Sequence, residues 1–132
     1  MEGRRQARER ALELLYEAEA KDVTPADVIE ALPVPPDPYA TTVANGVEAH
    51  RDEIDALLRR FARGWTLERM ASIDRAVLRM ATYELLHEPQ VPVGAVISEA
   101  VELAQQFSTD DSSRFVNGVL SSIARDVRAD DA

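Results

Sequence analysis

The sequence predicts an all-α fold of about seven helices, arranged as two packed three-helix-type groups. Three observations carry that expectation. Apolar residues recur at helical spacing along nearly the whole chain, and no stretch reads as a strand. The interruptions in that pattern fall at Pro, Gly and N-capping residues. The length, 132 residues, suits a single domain. At that size about two-thirds of the unfolded chain's surface can be buried, so a core needs neither disulfide nor metal.

The first helix is expected from about Arg4 to Ala20, with Ala7, Ala11, Leu14, Leu15 and Ala18 as its core stripe. Arg5, Arg8, Leu12 and Tyr16 fall within a neighbouring arc of about 80°. That strip reads either as a binding surface or as a solvated basic end with Tyr16 at the core edge. Thr24 and Pro25 mark a short second helix, as N-cap and first helical residue. Four prolines in the six residues 33–38 then impose a stiff, extended connection. A long third helix is expected over Tyr39–Ala62, burying Tyr39, Val43, Val47, Ile54, Leu57, Leu58 and Phe61. His50 falls near that face and reads as a packed histidine rather than a ligand.

Gly64 terminates this helix and Thr66 caps the next element. A subdomain boundary is expected here, dividing one domain into residues 1–63 and 64–132, with Trp65 packed in the seam. Thr66–His87 holds the fourth and fifth helices, broken near Ser72, with Ile73, Val77, Met80, Ala81 and Leu85 inward. Glu68, Asp74 and Arg75 are expected at the surface. The sixth helix spans about Val93–Phe107, with Val96, Ile97, Ala100, Val101, Ala104 and Phe107 inward. The seventh starts at Asp110–Ser112, where either Asp or Ser112 can cap, and runs to about Arg128 ahead of a fraying tail, residues 129–132. Val116, Val119, Leu120, Ile123 and Val127 form its stripe. Gly118 costs up to about 1 kcal/mol inside a helix relative to alanine, which suggests close approach of another backbone. Arg114 and Phe115 lie beside the stripe. They are either a solvated cation and a boundary core residue, or a phosphate contact and a base-stacking ring at a helix N-terminus.

Catalytic chemistry leaves no trace. Without cysteine there are no thiol nucleophiles or thiolate metal sites, and the two histidines, His50 and His87, are far apart in sequence. No Gly-rich phosphate loop, nucleophile elbow or metal-ligand spacing occurs. No enzyme activity, cofactor or metal is therefore expected. No stretch could span a bilayer and no leader-like run opens the chain, so a cytoplasmic location is the simplest. Net charge is −9, but residues 1–10 hold four arginines against two glutamates, leaving +2 there and −11 on the rest. Screening acts over about 8 Å at physiological salt, so a basic patch can work locally on an acidic body. Such a protein should bind nucleic acid weakly alone and better beside a basic partner.

Four segments in order resemble one family. Gly3-Arg4-Arg5-Gln6-Ala7-Arg8 leading to Leu14-Leu15-Tyr16 is similar to its arginine-rich first helix. Ile73-Asp74-Arg75-Ala76-Val77-Leu78-Arg79 with Tyr83-Glu84-Leu85 is similar to its middle signature. Val91-Pro92 with Ile97-Ser98-Glu99-Ala100-Val101-Glu102-Leu103-Ala104 matches its sixth helix. Asp111-Ser112 with Phe115-Val116-Asn117-Gly118-Val119-Leu120 matches its last. The family is NusB, the bacterial transcription antitermination factors, and Gly64-Trp65-Thr66-Leu67 resembles the actinobacterial branch.

The resemblance implies a NusB-like fold that binds single-stranded boxA RNA together with NusE, a small-subunit ribosomal protein. The complex joins the RNA polymerase elongation assembly with other Nus factors and supports antitermination on ribosomal RNA operons. NusE would be the basic partner. The implied RNA surface is Arg4, Arg5, Arg8, Tyr16, Asp111, Arg114 and Phe115, and the implied NusE contacts are Glu68 and Asp74. Arginines would neutralise phosphates, and the two rings would stack on unpaired bases. The family includes monomers and homodimers, and the sequence leaves that choice open. Two other classes remain to be weighed. A NusB-like domain also opens certain ribosomal-RNA methyltransferases, against which stands the lack of a methyl-donor domain here. A purely protein-binding helical adaptor that has lost RNA affinity is favoured by the acidic body and opposed by Arg5, Arg8, Tyr16 and Phe115.

Overall fold

A computed structural model describes residues 4–129. Gly3 and the last three tail residues, 130–132, lie outside the described residues. The helices are α1 (Arg5–Lys21), α2 (Pro25–Glu30), α3 (Pro38–Ala49), α4 (Arg51–Phe61), α5 (Ser72–His87), α6 (Val93–Phe107) and α7 (Asp110–Val127), and among the described residues there is no strand. Local chemistry sets their starts. Thr24 and Asp27 form a reciprocal capping box at α2 with Pro25 in its first turn. The Asp37 carboxylate accepts from the Tyr39 amide at 2.7 Å ahead of α3.

Buried residues of all seven helices join one core. α5 is its axis, packing on α1, α3, α4, α6 and α7. α1 and α2 pack with α3, whereas α6 and α7 form a hairpin against α5; α4 lies against α5 and α7. Arginines fasten these layers. Arg75 donates to the Leu67 and Met70 carbonyls at 2.7 and 3.0 Å and to Glu19 on α1. The Glu19 carboxyl is held below the usual carboxylate range, first by that hydrogen bond. Arg79 forms a two-pronged pair with Asp55 on α4 at 2.9 and 3.0 Å.

Several expectations are corrected. The third helix is two helices, broken at His50 (φ −115°, ψ 24°). The His50 amide still bonds the Gly46 carbonyl and its own carbonyl accepts from Ile54, each at 3.0 Å. One residue thus absorbs the bend that turns α4 onto α5 and α7. The expected fourth helix is only a 3₁₀ turn, Leu67–Arg69, because the backbone is extended at Met70 and Ala71 (ψ 149° and 140°), and the Arg75 guanidinium binds the Leu67 and Met70 carbonyls of this turn. Arg75 is consequently mostly buried rather than exposed. Phe107, expected inward, is 43% exposed at the α6 terminus.

Gly46 is the glycine that close packing requires. A Cβ at this position would overlap the ring of Tyr83, itself buried on α5. Gly46→Ala should therefore lower unfolding free energy by about 1–3 kcal/mol through overpacking. An unchanged denaturant midpoint would show that the ring moves aside at no cost.

Candidate nucleic-acid interface

The N-terminus of α7 meets Trp65, the most exposed aromatic side chain among the described residues. Thr109, extended at φ −117° and ψ 165°, is the N-cap; its hydroxyl accepts from the Ser112 amide at 3.1 Å. This corrects the expectation that an Asp or Ser112 caps. The true cap lies one residue earlier, which places Asp110 and Asp111 in the first turn against the positive helix end. Those carboxylates occupy the region a phosphate would seek. Arg114 is paired with Asp111 at 2.9 Å, and both are highly exposed. The geometry of this terminus therefore favours stacking over phosphate capture.

Phe115 is half-buried, and its ring lies 5.4 Å from that of Trp65, tilted by 52°. Trp65 is 55% exposed, so it does not fill the seam as expected. Gly64 explains this placement: its backbone is left-handed (φ 81°), and it turns the chain outward immediately before the indole. The two rings share two shallow clefts. One is bordered by Met70, Ala71, Asp74, Thr109 and Ser112; the other by Arg63, Arg114, Gly118 and Ser122. Gly118 faces open space, with nothing within 4 Å of where a Cβ would stand. No backbone approaches it, contrary to expectation; the missing side chain keeps the second cleft open.

The arginine-rich end of α1 divides into two kinds of residue. The Arg4 guanidinium lies 4.0 Å from the centroid of Tyr39. Arg5 is half-exposed and pairs with Glu99 and Glu102 on α6. Arg8 departs from the expected strip. It is 2% exposed and donates to Glu84 from Nε and Nη2 at 3.1 and 2.9 Å, while the Tyr39 hydroxyl donates to the same carboxylate. Burial and then this hydrogen bond push the Tyr39 phenol upward. Arg8 turns inward because Glu84, 1% exposed on the central helix, would otherwise be a buried charge without compensation. In this conformation Arg8 offers nothing to a phosphate. Leu12 of the same strip is likewise buried, whereas Tyr16 is 49% exposed beside Ser72 and Ala76 at the start of α5.

Of the two acidic positions, Glu68 is exposed, 3.3 Å from Arg59. Asp74, expected at the surface, is only 9% exposed. Its Oδ2 accepts from the Ser112 hydroxyl at 2.8 Å, tying α5 to α7, and its Oδ1 is buried without a partner beneath the Trp65–Phe115 cleft. Sequence reasoning missed Trp65 and Arg63 as surface groups. The available signal was the lone tryptophan directly after a helix-ending glycine, where the chain is least able to bury a large ring.

Comparison with known proteins agrees with this architecture. The model of the NusB family matches residues 5–125. The transcription antitermination protein NusB of Kineococcus radiotolerans is 46% identical over 128 residues, covering 94% of each chain. The solved structure of T. maritima NusB superposes with a TM-score of 0.83 at 35% identity, over 94% of this chain and 92% of that one. A chain of the solved complex of antitermination factors NusB and NusE with double-stranded RNA gives 0.80 at 25% identity, over 93% and 96%. With its helical core, its four signature segments and matches spanning nearly its full length, the chain belongs to the NusB family.

Proposed function

We propose that this chain is a non-enzymatic, cytoplasmic RNA-binding transcription antitermination factor. It binds boxA-type single-stranded RNA together with NusE, within the RNA polymerase elongation assembly and alongside other Nus factors. The observation that carries this reading is the exposed Trp65 against the half-buried Phe115 ring of α7, with Arg114 and Arg63 at the rim. Accessible ring faces and nearby cations are what unpaired bases and their phosphates require. Tyr16 borders the same end of α5, whereas Arg4, over the Tyr39 ring, and Arg5, paired with α6, lie at the other end of α1 as a second cationic patch. Asp111 either accepts from a base edge or limits affinity by repelling phosphate. Glu68 is available to basic groups of NusE, and Asp74 serves by holding α7 in place through Ser112. Arg8 pairs with Glu84 inside the core rather than touching RNA. The acidic body explains why a basic protein partner raises affinity.

The test is a titration of labelled boxA RNA, a scrambled strand and a boxA duplex, with and without NusE, at two salt concentrations. Preference for single-stranded boxA that grows with NusE supports the reading; equal binding of all three RNAs overturns it. Phe115→Ala should weaken boxA binding by about 1–3 kcal/mol, the cost of one lost stacking platform. Unchanged affinity in a folded variant removes the ring from the interface. Arg5→Ala should flatten the salt dependence of binding by about one unit, if its guanidinium leaves Glu99 and Glu102 for a phosphate. An unaltered slope assigns Arg5 to those glutamates alone.

A further inference from the structure

The bend between α3 and α4 brings together the only two histidines of the chain. His50 sits at the bend and His87 ends α5; their rings stack with centroids 3.9 Å apart and planes inclined by 24°. Glu53, one helical turn after His50, lies on the same face of α4. Its Oε1 is 2.9 Å from His87 Nε2 and 3.7 Å from His50 Nδ1. One donor atom from each residue lies within 4.8 Å of the other two. All three side chains are partly exposed, at 41% for His50, 51% for Glu53 and 30% for His87, so an ion can reach them from solvent.

We propose that His50, Glu53 and His87 form a binding site for a zinc-class divalent cation. The donor set, two imidazole nitrogens and one carboxylate oxygen, is the borderline-soft combination that selects such metals over magnesium or calcium, which take oxygen ligands. Donors on a tetrahedral zinc stand about 3.3 Å apart, given bond lengths of about 2.0–2.1 Å. The two separations from Glu53 Oε1, 2.9 and 3.7 Å, bracket that spacing. Water completes the fourth position. Tyr83 walls the site, its ring 5.6 Å from that of His87 and 6.2 Å from that of His50. The acidic surface of the chain raises the local concentration of cations.

The metal clips the first turn of α4 to the last turn of α5. Its ligands, at positions 50, 53 and 87, converge only in the folded state, so binding stabilises the fold in proportion to free ion. The site lies at the opposite end of α5 from Asp74 and the Trp65–Phe115 pair, about 20 Å along a helix rising about 1.5 Å per residue. A metal there acts on the scaffold and leaves the aromatic surface free.

The experiment uses the full chain without an affinity tag, stripped with EDTA and exchanged into chelator-free buffer. Zinc chloride is titrated by calorimetry, and cobalt(II) by visible absorption. The expected result is one saturable site per chain, a visible cobalt band of low-coordinate type, and a melting temperature that rises with zinc but not with magnesium. His50→Ala, His87→Ala and Glu53→Gln should each weaken binding by more than about tenfold, as loss of ligand-shell groups does. Should a histidine variant fail to fold, Glu53→Gln preserves shape, and the cobalt spectrum of the unaltered chain still reads the coordination. Absence of saturable zinc uptake, or undiminished uptake by Glu53→Gln and the folded histidine variants, would falsify the assignment and leave Glu53–His87 a simple hydrogen-bonded pair.

Discussion

Replacing Arg8 with alanine is expected to lower the unfolding free energy by about 3–5 kcal/mol, the cost of breaking a buried ion pair from one side. Glu84 is 1% exposed on the central helix, and its carboxylate depends on the Arg8 guanidinium and the Tyr39 hydroxyl. Without Arg8 that charge is left in a low-dielectric core. The double substitution Arg8→Met with Glu84→Leu should recover part of the loss, because removing both charges also removes the desolvation penalty. Recovery stays incomplete, since the Tyr39 hydroxyl loses its acceptor. Denaturant unfolding of the single and double variants measures both. RNA binding supplies an independent check on the role of Arg8. A direct phosphate contact would lower the salt slope by about one unit on removal. The buried pair predicts an unchanged slope for whatever fraction of the variant remains folded.

Arg128→Met should cost about 3–4 kcal/mol, since hydrogen bonds involving a charged group contribute about 1.5–3 kcal/mol each and do not add fully. The Arg128 guanidinium, buried just past α7, donates to the carbonyls of Leu85 and Val91 at 2.8 Å, Glu88 at 2.9 Å and Glu84 at 3.0 Å. Those oxygens include carbonyls in the last turn of α5, where a positive charge also complements the helix dipole. Methionine fills the space but removes the guanidinium from four carbonyls, of which those of Glu84 and Glu88 keep the Glu88 and Val91 amides as partners. Arg128→Lys should recover only part, because a point ammonium cannot reproduce a planar fork. Melting temperatures of the two variants, with amide exchange at residues 84–91, measure the effect. Equal protection in Arg128→Met and the unaltered chain would mean that water replaces the guanidinium without loss.

Both arginines show where sequence reasoning reaches its limit. On a helical wheel Arg8 shares an arc with Arg5 and Tyr16, and arginine is usually exposed, so a binding strip is the natural reading. Its burial depends on Glu84, seventy-six positions away, and periodicity within one helix carries no information about that partner. Asp74 illustrates the same point, since its place beneath the aromatic cleft depends on Ser112 on α7. Trp65 is legible as the residue after a helix-ending glycine, but whether it faces a seam or solvent depends on where α7 passes.

Helix α2 and the connection before α3 are readable because their chemistry is local: Thr24, Pro25 and Asp27 within one turn, then prolines that cannot continue a helix. The split at His50 is not readable, for no Pro or helix-ending Gly marks it. Packing of α4 onto α5 and α7 imposes it.

The amino-acid order alone determined the all-helical class, most helix limits, the apolar stripes and the likeness to NusB proteins. Each of these rests on neighbours within a turn or two, or on segments whose order is itself the signal. The tertiary structure decided which charged groups are buried, that Trp65 meets Phe115, and that His50 meets His87. Those outcomes are settled by contacts between helices far apart in the chain, where desolvation of one group is offset only by a partner that folding delivers.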